Sequence, residues 1–254
     1  MPEMRFAILF LLSVMLVGPV ESRAAVISEV FLGRHSGQAV PDAVELSGLE
    51  GGDTVQLVIV NADADAFGDV RQTFTVEVTQ PVHLLSTGAW PTPLWGEADD
   101  GAVAEALLAT PTLDLAGPRR LHLHAGVTGL SAGMNVFDGA MGEALANATP
   151  LLDILSFALG GDAVAAGDGP IIDLHEGWVI AKPATRDGAA GEQLVVGSPD
   201  ADGKLRVYDP PFRVTPGLAN PHWDGSHLPE PGAGMVAGAF LLTLLLRRSR
   251  PRRT

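Results

Sequence analysis

Thr54-Val55-Gln56-Leu57-Val58-Ile59-Val60 is followed, after an Asp-rich break, by Gln72-Thr73-Phe74-Thr75-Val76-Glu77-Val78. Both runs are β-branched or aromatic at most positions, are short, and are bounded by turn residues, so they predict neighbouring strands. Working outward, Val26-Ile27-Ser28-Glu29-Val30-Phe31-Leu32, Leu121-His122-Leu123-His124, Trp178-Val179-Ile180-Ala181, Gln193-Leu194-Val195-Val196 and Lys204-Leu205-Arg206-Val207-Tyr208 have the same character. Asp202-Gly203 predicts a hairpin between the last two. Ala102 to Ala109 and Gly139 to Ala148 leave room for short connecting helices only, hemmed in by Gly and Pro. Leu151 to Leu159 reads two ways: Thr149 as cap and Pro150 at the first position would open a helix, whereas the apolar run suits a buried strand. The β-like surroundings and the Gly160-Gly161 stop favour the strand. The expected fold class is mainly β, an antiparallel β-sandwich with polar outer faces.

The two ends of the 254-residue chain differ from this body. Arg5, the apolar run Phe6 to Val17, the Gly18-Pro19 break and the small residues around Ser22-Arg23-Ala24-Ala25 have the layout of a secretory signal peptide, residues 1–25, with cleavage expected after Ala24 or Ala25. At the other end Gly232 to Leu246 carries no charge and is followed by Arg247, Arg248, Arg250, Arg252 and Arg253. At ~1.5 Å per residue the run would extend about 22 Å as a helix, short of the roughly 20 residues of a stable span. It predicts a marginal transmembrane segment with its arginines in the cytoplasmic headgroups, suited to being held and then cut. An anchor that stays in place is the alternative. Signal helix and hydrophobic helix are thus expected to flank a β-rich body, residues 26–228.

Pro229-Glu230-Pro231, the short apolar segment and the terminal arginines resemble the PEP-CTERM sorting signal, here residues 229–254, which is read by a membrane-embedded exosortase in bacteria that export polysaccharide. The resemblance implies export, processing by an exosortase-type sorting protease, and release to or retention at the cell surface. It implies no enzymatic role for the body.

Subtracting the two basic residues of the leader and the five of the tail leaves nine of the 16 Lys and Arg, and removing Glu3, Glu21 and Glu230 leaves 27 of the 30 acids, a body near −18. Such a surface repels nucleic acid and anionic lipid. Cysteine is absent, which excludes a disulfide scaffold, thiolate catalysis and a Cys-based zinc site. A body of about 200 residues is expected to bury roughly 70% of its unfolded surface and to hold together by packing.

Ile27-Ser28-Glu29-Val30, Asp42-Ala43-Val44-Glu45-Leu46 and Val214-Thr215-Pro216-Gly217-Leu218-Ala219-Asn220 resemble the edges of bacterial lamin-tail-type domains. Those are immunoglobulin-like sandwiches on exported proteins. The chain departs from them at Ser47-Gly48-Leu49-Glu50-Gly51, where the family has "NPG" and "GW" landmarks, and over residues 80–150. The resemblance implies an immunoglobulin-like fold and a non-catalytic adhesion or matrix module, with no active-site residues to transfer.

Several patterns name candidate chemistry. Gly129-Leu130-Ser131-Ala132-Gly133 fits G-x-S-x-G, and Asp173 and His222 follow in the chain order of an α/β-hydrolase, but no strand runs straight into Ser131 and no αβ alternation surrounds it. Asn61-Ala62-Asp63-Ala64-Asp65 with Asp69, and Asp200, Asp202 and Asp209, space oxygen ligands as weak calcium loops do. The first lacks the loop glycine and closing Glu, and Pro210-Pro211 forbids a helix after the second. His122 and His124 share a strand face with zinc-compatible spacing, and His83, His175, His222 and His227 stand elsewhere. Trp90, Trp95, Trp178 and Trp223 read as core and loop anchors or as sugar-stacking platforms. The expected function is an exported, non-catalytic surface or extracellular-matrix protein, with membrane contact through its tail and extracellular polysaccharide as a candidate partner. A secreted calcium- or carbohydrate-binding module is the alternative, and a serine hydrolase using Ser131 the third.

Overall fold

A computed structural model describes residues 25–35, 38–39, 41–88, 100–138, 141–159, 171–174, 177–184, 193–200, 204–207 and 211–223. The expected signal and C-terminal helices lie outside them. In chain order the elements are β1 (Val26–Phe31), β2 (Arg34–His35), β3 (Gln38–Ala39), β4 (Ala43–Ser47), β5 (Thr54–Asn61), β6 (Val70–Glu77) and β7 (Val82–Ser86). There follow α1 (Asp100–Ala106), β8 (Leu107–Ala109), β9 (Arg119–Ala125), α2 (Gly142–Ala146), β10 (Leu151–Leu159) and β11 (Ile172–Leu174). The last are β12 (Val179–Ala181), β13 (Val195–Gly197), β14 (Lys204–Leu205) and β15 (Phe212–Arg213). Among the described residues strand far outweighs helix, so the class is mainly β.

Two sheets carry the fold. The first has the order β13-β12-β1-β4-β7-β8, the second β11-β10-β9-β5-β6, and β2-β3 and β14-β15 are small separate pairs. Leu46, Val44, Val30 and Ile180 of the first sheet pack with Leu57, Leu121, Leu123, Leu155 and Phe157 of the second, forming the shared core of a sandwich. Asp153, at a bulge in β10, ties the layers. Its Oδ2 accepts the Ile27 N–H at 2.8 Å and pairs with Lys182 Nζ at 2.5 Å.

The opening run is β5 and the next one β6, paired antiparallel from Thr54↔Glu77 onward, and Leu151–Leu159 is a strand, as expected. Several expectations are corrected. The sheets are mixed, because β8 runs parallel to β7 and β11 parallel to β10. Parallel neighbours need a crossover rather than a hairpin, and α1 stands in the one joining β7 to β8. The helix of that region spans Asp100–Ala106, and Leu107–Ala109 belongs to a strand. Second, β13 pairs with β12 and β14 with β15, so the strands flanking Asp202-Gly203 are not each other's partners; those two residues lie outside the described set.

Third, the outer faces are not simply polar. Phe31, Ala43, Leu84, Val179 and Ala181 project outward from the first sheet and are covered by α1 and by Leu205, Phe212, Val214 and Trp223. Val58, Val60 and Val70 project outward from the second and are covered by Leu130, Val136 and α2. Every residue of β4 and β7 is buried, whereas β6 keeps the alternating exposure of a half-covered strand. Burial on both faces explains why several strands read as continuous apolar runs.

Candidate functional site

The sorting residues Pro229, Glu230, Pro231, Arg247, Arg248, Arg250, Arg252 and Arg253 lie outside the described residues, as do Asp202, Asp209, Trp90, Trp95, His175 and His227. Asp200 is described. Its Oδ1 accepts the Lys204 N–H at 3.0 Å and its Oδ2 accepts from Arg206 Nε, so both carboxylate oxygens are engaged within the chain. In the other calcium candidate the oxygens diverge. Asn61 Oδ1 accepts from Arg119 at 2.8 Å, Asp63 Oδ1 caps the N–H groups of Asp65 and Ala66, and Asp69 Oδ1 accepts from Asn135 Nδ2 at 2.8 Å. Among the described residues no group of three or more His, Asp or Glu is arranged to hold a metal.

Ser131 is exposed and opens a tight turn, its carbonyl accepting the Met134 N–H at 3.1 Å with Gly133 at φ 87°. The preceding strand has ended at Ala125 and the next helix begins at Gly142, so no nucleophile elbow is formed. Asp173 is exposed on edge strand β11, and His222 Nδ1 lies 2.9 Å from the Ala184 carbonyl oxygen. No hydrogen bond joins the three among the described residues.

His122 and His124 share the outer face of β9, with ring centroids 6.0 Å apart. Burial, reinforced by the neighbouring His124 and Arg120, pushes the His122 pKa down to about 3, and burial also lowers that of His124. Both Nε2 atoms are buried without a partner. A dication there would meet Arg120 on the same face, so the pair fits neutral rings sealed under the cover better than a metal clamp. Trp178 packs against the inter-sheet core, and Trp223 sits edge-on to Phe212 with centroids 6.0 Å apart, the anchor reading of these two indoles.

The structure brings together residues that the sequence holds far apart. Ser28 is the extra residue of a bulge in β1, and Glu29 and Glu45 face each other across β1 and β4. Both carboxylates are fully buried on the outer face of the first sheet, beneath residues 214–220. Glu45 Oε1 accepts from Ser28 Oγ at 2.7 Å and its Oε2 accepts the Gly217 N–H at 2.6 Å. Glu29 Oε1 accepts the Thr215 N–H at 3.2 Å, while its Oε2 is buried without a hydrogen-bond partner. Asn220 completes the lock: Nδ2 donates to the carbonyls of Ser28 and Lys182 at 3.2 and 3.1 Å, and Oδ1 accepts from Thr215 Oγ1 at 2.9 Å.

Two buried carboxylates side by side cannot both ionise cheaply. Burial pushes Glu45 up to about 8, against the pull of Ser28 and Gly217. Burial first, and the charge of Glu45 second, hold Glu29 well above the usual carboxylate range. The pair therefore retains a proton at neutral pH, and its chemistry is that of a clamp on the C-terminal segment rather than of an open reaction centre.

In the sequence Glu29 and Glu45 stand in β-like runs and in the fragments that carry the lamin-tail resemblance, and nothing there brings the two together. Comparison of the chain with protein-family models, with curated proteins and with solved structures gives no match.

Proposed function

We propose that the protein is an exported, non-catalytic cell-surface or extracellular-matrix protein, delivered and processed through its C-terminal PEP-CTERM-like segment by an exosortase-type protease. The observation that carries this reading is the Pro229-Glu230-Pro231 motif with the uncharged run and five arginines after it, and the clamp lies close before that motif. Glu29, Glu45 and Ser28 grip Thr215, Gly217 and Asn220, and Trp223 is buried just beyond. The sorting-like motif at Pro229 thus follows within a few residues of a point where the chain is bonded into the first sheet.

The body is proposed as a lamin-tail-like, immunoglobulin-like module. In support, the three fragments that carry the resemblance, Ile27–Val30, Val44–Leu46 and Thr215–Asn220, meet at one buried site. Distant fragments that share a motif and a hydrogen-bond network are what a common module would supply.

Intact mass of the mature protein recovered from the cell surface or the medium tests the proposal. A species beginning near Val26 and lacking Gly232 to Thr254 is expected. A mature species that retains Gly232 to Thr254 would refute tail processing and favour a permanent anchor.

A further inference from the structure

A cleft of about 600 Å³ opens beside the turn at Gly68, lined by Asp69, Asn135, Phe137, Asp138 and Met141 among others. Its volume is in the range that accommodates a small ligand or a few units of a polymer. The walls are fixed by Asn135, whose Nδ2 donates to the Phe67 carbonyl and to Asp69 Oδ1, each at 2.8 Å, and whose Oδ1 accepts the Phe137 N–H at 2.9 Å. Phe67 stacks on Phe137 with centroids 5.0 Å apart and planes 3° from parallel. The buried Arg120 guanidinium lies 5.3 and 5.9 Å from the two ring centroids.

Phe137 is braced on one face and still 48% exposed, and Met141 beside it is 64% exposed. The ring is therefore an apolar platform whose position is set before any ligand arrives, which lowers the ordering cost of binding. The uncommitted polar side-chain atoms around it are acceptors. Asp69 Oδ2 and both oxygens of Asp138 make no hydrogen bond among the described residues, whereas the Asn135 amide is consumed.

A platform edged by acceptors selects a molecule with a flat C–H face and many O–H or N–H donors. A pyranose ring has both. The net charge near −18 of the body repels anionic polymers, leaving neutral sugars and sugars bearing amines. We infer that this cleft binds a neutral or amino-sugar polysaccharide. The inference rests on the proposed surface role for its setting, but the binding itself does not require the tail to be processed.

Calorimetry of the full-length chain in mild detergent tests it, using hexasaccharides of glucose, N-acetylglucosamine and glucosamine, with hexagalacturonate, calcium chloride and a hexalysine peptide as controls. Saturable binding of at least one of the first three, and none of hexagalacturonate, is expected. Phe137→Ala should weaken that binding at least about tenfold. Asp138→Asn changes an exposed side chain with no bond in the fold, so it should leave thermal unfolding unchanged and weaken glucosamine binding more than glucose binding. No heat with any of the three sugars, heat with calcium or hexalysine alone, or unchanged affinity in both variants would overturn the inference. A retained tail in the intact-mass experiment would refute the sorting reading and leave this result untouched.

Discussion

At Glu29 and Glu45 the hydrogen-bond partners decide how each substitution acts. Gln at 29 keeps an acceptor for the Thr215 N–H and removes the charge that burial penalises. Glu29→Gln is expected to raise stability at pH 8 by about 1 to 3 kcal/mol and to change little at pH 5, read from denaturant midpoints. An equal effect at both pH values would contradict a retained proton. Asn220→Ala strips the Ser28 and Lys182 carbonyls of their shared donor in a buried site. A loss of about 2 to 4 kcal/mol is expected, with faster amide exchange over residues 212–223 than over β5. The sequence shows these residues plainly, but not their burial. Ser28-Glu29 and Glu45 alternate with apolar neighbours as solvent-facing strand residues do, and the segment that covers them comes from the far end of the chain.

Among the elements, those specified by their own residues were legible and those specified by distant partners were not. β5 and β6 follow from their β-branched runs, and β10 from the mismatch between its length and a helix. The parallel edge strands β8 and β11, three residues each, carry no local signal of direction, because that is set by crossovers. The candidate cleft was likewise hidden: Asp69 was visible only as a spaced acid, and Asn135 and Phe137 lie in a Gly-rich stretch without periodicity. The turn that builds it is sterically exacting. Gly68 has φ 89°, and a Cβ there would stand 2.6 Å from both Asn135 Oδ1 and Phe137 Cδ2. Gly68→Ala is expected to cost about 1 to 3 kcal/mol in thermal or denaturant unfolding and to displace Phe137, seen as loss of the upfield ring-current shifts of a stacked Phe pair. Gly51→Ala, with nothing within 4 Å of the added carbon, is the matched control and should be nearly neutral.

On the scale of the whole molecule, the two covers set the response to pH. His122 and His124 bind protons less readily folded than unfolded, so their contribution is present above about 6.5 and is lost as pH falls, toward about 3 for His122. Glu29 and Glu45 bind protons more readily folded, so theirs is present below 4.5 and is lost as pH rises, through about 8 for Glu45. Each group contributes a slope of at most about 1.4 kcal/mol per pH unit. A melting temperature that peaks between about pH 4.5 and 6.5 and falls on both sides is expected in a buffer series. A shallower alkaline fall in Glu29→Gln, with the acid one unchanged, would assign the two limbs. The clamp also orders events in time. Hydrogen bonds that close it span 186 and 192 residues, linking the first strand to the last described segment. A chain emerging N-terminus first cannot neutralise its paired acids or seal Phe31 until almost all of it has appeared, so loop-closure entropy falls on the final step. Until then the nascent chain stays unclosed, and the appearance of residues 215–220 is what commits its first strand to the fold.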